Sequence, residues 1–210
     1  MEHVEAVIIG GGQSGLATAH ALVRAGLKPV VLEASDRAAG SWPRCCDSLT
    51  LSSPARFSAL PGMPFAGDPD RHPHRDEVVA YLTAYAARLQ ADIRTSRRVI
   101  AVRADGAGFT VELEDGGLLG ARAVVAASGS FGRPHRPALP GWETFAGQIL
   151  HAADYRSPTP FAGQRVVVVG AGNSAVQITR VNDLDVLKVF CAGDGRYGNL
   201  LGVVRDGRTC

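Results

Sequence analysis

Two glycine-rich stretches carry the residues whose types and spacing could do chemistry. Gly10, Gly11, Gly12, Gln13, Ser14 and Gly15 follow a short apolar run over 4–9. The next apolar run, 29–32, ends at a carboxylate, Glu33, about 20 residues beyond the glycines. A dinucleotide needs this set. Gly10 permits a tight turn, Gly12 lets backbone approach a pyrophosphate, and Gly15 lets a helix pack close to the strand. The first amides of that helix offer donors to phosphate, and Glu33 can accept hydrogen bonds from a ribose 2′-hydroxyl. A lone glycine turn can simply join a strand to a helix, but here strand, turn, helix, second strand and terminal acid occur in order.

The same grammar recurs with the β-branched run 165–169, followed by Gly170, Ala171, Gly172, Asn173, Ser174 and Ala175. Gly10 matches Gly170, Gly12 matches Gly172 and Ser14 matches Ser174. Ala175 stands where Gly15 stands in the first copy and loosens the helix-to-strand contact. A second dinucleotide site is implied, with a decayed βα unit as the alternative, because the run 186–190 leads into Cys191, Ala192, Gly193 and Asp194 with no acid or arginine at its very end, and only Arg196 stands near the place of a 2′-phosphate partner.

The elements that must position these residues can be read from periodicity. Strand 4–9 leads to a helix over 16–25, with Gly26 as its stop, and then to strand 29–32. Apolar Val78, Leu82, Tyr85, Ala86 and Leu89, with acidic Asp76 and Glu77 in front, predict a helix over 75–91, where Tyr81 and Tyr85 serve packing. Short runs at 99–102, 109–113 and 118–123, separated by Asp-Gly turns, predict an antiparallel meander that feeds a parallel strand from Val124. A further strand is expected at 186–190. The fold class is α/β: a Rossmann-like domain built on a parallel sheet plus a small meander, over residues 1–155, then a partial second Rossmann unit over 156–210.

Four further motifs carry a resemblance. Gly40, Ser41 and Trp42 form a GxW element, and residues 49–54 with 57–65 read LTLSSP and FSALPGMPF. Ala127, Ser128 and Gly129 end a buried run, followed by Gly132, Arg133, Pro134 and His135. Phe145, Gly147, His151 and Tyr155 fit FxGxxxHxxxY just before the second glycine turn. In these motifs the chain resembles the flavin-containing monooxygenase and Baeyer-Villiger monooxygenase superfamily, particularly its small bacterial members.

The resemblance implies FAD on Gly10, Gly12, Gln13, Ser14, Gly15, Glu33, Gly40, Ser41, Trp42, Ser128 and Gly129. It implies NADPH on Gly170, Gly172, Asn173, Ser174 and Ala175, with His151 in a linker that couples the two regions instead of acting as a base. The reaction it implies is flavin reduction by NADPH, then oxygen activation as a flavin hydroperoxide and transfer to a small-molecule substrate. Relatives continue well beyond the second glycine turn, so a C-terminally shortened member is expected. A reductase or oxidase without oxygen insertion and a non-catalytic FAD-binding remnant are the alternatives.

Bulk properties exclude other classes. The 22 basic and 20 acidic residues leave a net charge of +2 with no basic patch, so neither nucleic acid nor an anionic membrane surface is an expected partner. Four cysteines, two of them adjacent at Cys45 and Cys46, give no spaced redox pair and no metal-ligand spacing, and no metal is expected. His72 and His74 flank Pro73 without further ligands. The acidic N-terminus, broken by glycines, is neither a signal peptide nor a membrane span, and a cytoplasmic protein is expected. A homo-oligomer is allowed.

Overall fold

The computed structural model describes residues 1–132, 134–136, 141–170, 172–179, 185–189 and 200–204. They form two compact units, one of residues 1–43 and 50–132 and the other of residues 44–49 and 133–210. The strand over 148–151 pairs within the second unit.

The first unit is a six-stranded sheet in the order β3-β2-β1-β6-β5-β4. β1 (Glu2–Ile9) pairs in parallel with β2 (Pro29–Leu32) on one side and β6 (Leu118–Ala126) on the other, and β3 (Asp92–Arg94) extends the parallel part beyond β2. β4 (Val99–Asp105) and β5 (Gly108–Leu113) complete an antiparallel meander with β6. Strand, meander and parallel crossover are therefore as the sequence predicts, except that β3 is not foreseen and that two expected strands merge. The meander strand and the parallel strand expected at 118–123 and from 124 are a single strand, which pairs with β5 by its first half and with β1 along nearly its whole length.

Alternation along β1 and β2 builds two cores. Val7, Val30 and Leu32 join Val111, Leu113, Leu119 and Ala121 of the meander, while Ile8 and Val31 meet Ala19 of the helix α1 (Gln13–Arg24). All four residues of β2 are buried, as a strand covered on both sides requires. α1 ends as predicted: Gly26 takes φ +82°, its amide donates to Val23 O, and the Leu27 amide donates to Leu22 O, a Schellman closure.

A short helix α2 (Ala55–Ser58) precedes α3 (Arg75–Arg88), which starts on a capping box. His74 Nδ1 accepts from the Asp76 amide, and the Glu77 carboxylate accepts from the His74 amide. α3 stops three residues earlier than the apolar period suggests, since Leu89 turns extended to let the chain enter β3. Val78, Tyr81, Leu82 and Tyr85 are buried against Leu16 and Leu60. The two tyrosines do more than pack. Tyr81 Oη accepts from the Leu60 amide and donates to Met63 O, and Tyr85 Oη donates to Pro61 O, so α3 holds the loop 60–65 by its backbone.

The second unit has the strand order β7-β10-β8-β9. β8 (Arg165–Val169) pairs in parallel with β9 (Asp185–Val189), and α4 (Asn173–Thr179) lies between them in the chain, the expected βαβ arrangement. The sequence reading missed β10 (Leu200–Val204), which runs antiparallel between β8 and β7 (Gln148–His151). Val166, Val168, Ala175, Ile178, Tyr155 and Phe161 form its core. Among the described residues no helix is long and apolar enough to cross a membrane.

Candidate dinucleotide sites

In the first unit the glycine turn is shaped by contacts that only glycine satisfies. Gly10 has φ +109°, and a Cβ there would stand 2.3 Å from Ala127 O at the end of β6. A Cβ on Gly15 would stand 1.8 Å from Gly10 O, so the first turn of α1 rests directly on the strand end. Gly12, the residue before α1, is different. Its Cβ would meet only Gly40 at 3.4 Å or more, and its backbone is extended. The absence of a side chain at Gly12 thus keeps the approach to the helix open instead of relieving a clash.

α1 begins with no side-chain cap and no acid in its first turn. Its first amides, at Gln13, Ser14 and Gly15, precede the first helical hydrogen bond, which runs from the Leu16 amide to Gly12 O at 2.9 Å. Gln13 and Ser14 are exposed. Donors, helix dipole and an open front are what a phosphate group requires.

Glu33 is buried and sits just past β2. One carboxylate oxygen accepts from the Gly11 amide at 2.7 Å and the other from the Ser35 amide and hydroxyl, both at 2.8 Å. The carboxylate therefore ties the glycine turn to the chain beyond β2. An oxygen that accepts a single bond keeps a lone pair for another donor.

The remaining first-site residues lie around this turn. Gly40 takes φ +57° and would place a Cβ 2.8 Å from Gly12 Cα, which brings the loop 36–40 against the glycines. Trp42 packs on the α1/α3 core next to Ser41. Ser128 lies beside Gly10, and Gly129, at φ +74°, is exposed. The expected FAD residues thus fall together at the carboxyl ends of β1, β2 and β6, where open parallel sheets place their ligands.

The second turn has the same opening. Gly170 has φ +133°, and the Val176 amide donates to Gly172 O at 3.1 Å as Leu16 does to Gly12. Asn173 and Ser174 open α4, and Ala175 is buried. Gly193, Asp194 and Arg196, the expected sequel to β9, lie outside the described residues.

His151 ends β7. Its Nδ1 accepts from the Ala153 amide at 3.0 Å, which leaves the ring proton of the neutral form on Nε2. Burial holds its pKa below the usual 6.5, against the pull of Asp154 and with help from Arg136 and His135. The ring is therefore neutral at pH 7.

Tyr155, the last residue of the fingerprint, is 1% exposed and stacks on Phe161, and its hydroxyl has no hydrogen-bond partner among the described residues. Burial first, then Cys46 and Asp47, push its pKa up from 10.0 to about 12. A raised folded-state pKa means full stability below pH 10, lost as pH rises through about 12. Tyr155→Phe is expected to melt at or slightly above the native temperature at pH 7, since an unsatisfied buried hydroxyl costs about 1 kcal/mol or more. It is also expected to show a smaller alkaline loss between pH 10 and 12. A melt series over pH 7–12 checks both.

The family model for pyridine nucleotide-disulphide oxidoreductases matches residues 7–180, which takes in both glycine turns and the fingerprint between them. The chain belongs to this family. Within it, the expected kinship with flavin monooxygenases is borne out. The chain is 41% identical over 177 residues to the indole-3-pyruvate monooxygenase YUCCA1 of Oryza sativa subsp. japonica, a match that covers 83% of this chain and 44% of that protein. It superimposes on the flavin-containing monooxygenase from Stenotrophomonas maltophilia with a TM-score of 0.85 and 39% identity, over 90% of this chain and 58% of the other. A steroid monooxygenase bound to NADP matches with a TM-score of 0.68 and 27% identity, over 89% and 38% of the two chains. The chain spans about half the length of the curated relatives it matches. Despite the family's name, Cys45 and Cys46 are adjacent in sequence and form no spaced dithiol.

Proposed function

We infer that this oxidoreductase is an NADPH-dependent flavin monooxygenase, with FAD on the first glycine turn and NADPH on the second. One observation carries the reading: the uncapped start of α1, the open face at Gly12 and the fixed carboxylate of Glu33 stand together at one sheet end. These fit a pyrophosphate and an adenosine ribose in a single ligand. When bound, the flavin and nicotinamide rings supply the hydride and oxygen chemistry.

The chain's own residues bind and orient. The amides of Gln13 and Ser14 hold the FAD pyrophosphate, and Glu33 holds the ribose. Gly40, Ser41 and Trp42, on the segment that meets the glycines, and Ser128 and Gly129, just past β6, would line the rest of the FAD site. Gly170, Gly172, Asn173, Ser174 and Ala175 take the corresponding part for NADPH, a reading supported by the NADP-bound relative. His151, neutral and donating only through Nε2, has a linker role. The partners are a small-molecule substrate and O2, in a cytoplasmic protein.

Two valine substitutions test the assignment of sites. Gly12→Val brings methyl groups in front of α1 without meeting the packed backbone that surrounds Gly10, so the fold is expected to survive. FAD affinity is expected to fall on the order of a hundredfold, as two phosphate hydrogen bonds of about 1.5 kcal/mol each are lost. Gly172→Val is expected to spare FAD and weaken NADPH binding. Flavin titration and NADPH titration of both variants read the two effects, and loss of flavin in Gly172→Val instead would exchange the sites.

A further inference from the structure

Ser35 was no part of the sequence pattern, yet it is the residue that holds the Glu33 carboxylate to the loop facing the glycine turn. Its amide and hydroxyl both reach the same oxygen of Glu33 at 2.8 Å, opposite the oxygen that takes the Gly11 amide. The hydroxyl also lies 2.9 Å from Arg37 O. A hydroxyl has a single proton, and a carboxylate is the stronger of two such acceptors.

The connection continues. The Ala39 amide donates to Arg37 O at 3.0 Å, and Gly40, next in the chain, lies against Gly12. The Ser96 amide donates to Ser35 O at 2.8 Å, and the Arg97 amide to Glu33 O at 2.8 Å, which anchors the segment from the β3 side. Ser96 holds φ +54° to make this contact, a conformation a residue with a side chain adopts only where the surroundings impose it. Ser35 is thus fixed on its own backbone before it fixes Glu33.

We propose that Ser35 is a positioning residue for dinucleotide binding: by holding one oxygen of Glu33, it aims the other at the adenosine ribose and joins that contact to the loop at Gly40. With Ser35 in place, rotation of the carboxylate would break bonds to Gly11 and to Ser35 together. Without its hydroxyl, a turn of the carboxylate breaks only the two amide bonds instead of three, so the orientation is held less firmly. Ser35 touches no cofactor in this scheme and acts only through Glu33. The proposal rests on the FAD reading of the first site.

The test measures ligand binding to the full chain by displacement of FAD with ADP and with 2′-deoxy-ADP, in the native protein and in Ser35→Ala, Ser35→Thr, Glu33→Gln and the Ser35→Ala/Glu33→Gln pair. Failure of the native protein to bind FAD would overturn the site reading itself. Given FAD binding, Ser35→Ala is expected to bind FAD about fivefold to tenfold more weakly, because a carboxylate left freer to turn must be fixed again when the ligand binds. Its preference for ADP over 2′-deoxy-ADP is expected to shrink by a similar factor, Ser35→Thr to recover both, and the Ser35→Ala effect to vanish in the Glu33→Gln background. Equal losses for ADP and 2′-deoxy-ADP, or an undiminished Ser35→Ala effect without Glu33, would overturn the positioning role.

Discussion

Gly15→Ala is expected to unfold or severely destabilise the first unit, with a loss of roughly 3–5 kcal/mol. The added Cβ would stand 1.8 Å from Gly10 O and 3.0 Å from Gly10 C, a backbone group that cannot swing aside as a side-chain tip could. Relief requires α1 to lift from β1, but Leu16 and Ala19 on that helix and Ile8 and Val31 beneath it are fully buried, so the lift opens a packed core. Set against a typical domain stability of about 5–15 kcal/mol, that loss is decisive. Urea unfolding at 25 °C measures it. The second unit supplies the contrast, since Ala175 occupies the matching place and is buried there as the native residue.

Glu33→Ala is expected to have the second largest effect, on binding and stability together. It removes the acceptor from two amides and a hydroxyl, of which the Gly11 amide is buried. Leaving buried donors unsatisfied costs roughly 1–3 kcal/mol each, so a loss of about 2–3 kcal/mol is expected in the melt. FAD affinity is expected to fall by between about tenfold and a hundredfold as the ribose contact goes. Flavin fluorescence titration reads this, and a variant that melts lower but binds FAD as before would confine Glu33 to a structural role.

The parts of the fold that the sequence showed are those where local chemistry has one solution. Gly10 and Gly15 are legible because close backbone approach admits no other residue, and Glu33 because a carboxylate at the end of a wholly apolar strand has no use in packing. Gly26 stops α1 for a reason visible in one residue. Elements that depend on distant partners were not legible. β3 is three residues long with no alternation to read, and it is held by Arg94 bonding both Asp92 and Glu2, residues 2 and 92 positions away. β10 pairs with strands far back in the chain.

The same distinction applies to the candidate site. Its glycines and acid could be listed from spacing, whereas the supports could not. Tyr81 and Tyr85 read as packing, because nothing local says that their hydroxyls reach carbonyls 18 and 24 positions earlier. Ser35 looks like any loop serine until the carboxylate two residues before it is seen to turn back on it. The placement of residues 44–49 in the second unit, where Cys46 packs near Tyr155, is likewise a tertiary fact with no local signature.

The most direct measurement is the visible absorbance spectrum of the purified chain, supplied with FAD and freed of excess, before and after NADPH is added without oxygen. FAD on the first turn and NADPH on the second require oxidised flavin bands that stay with the protein and bleach on NADPH addition. A protein that retains no flavin would contradict the reading of the glycine turn and Glu33 as an FAD site.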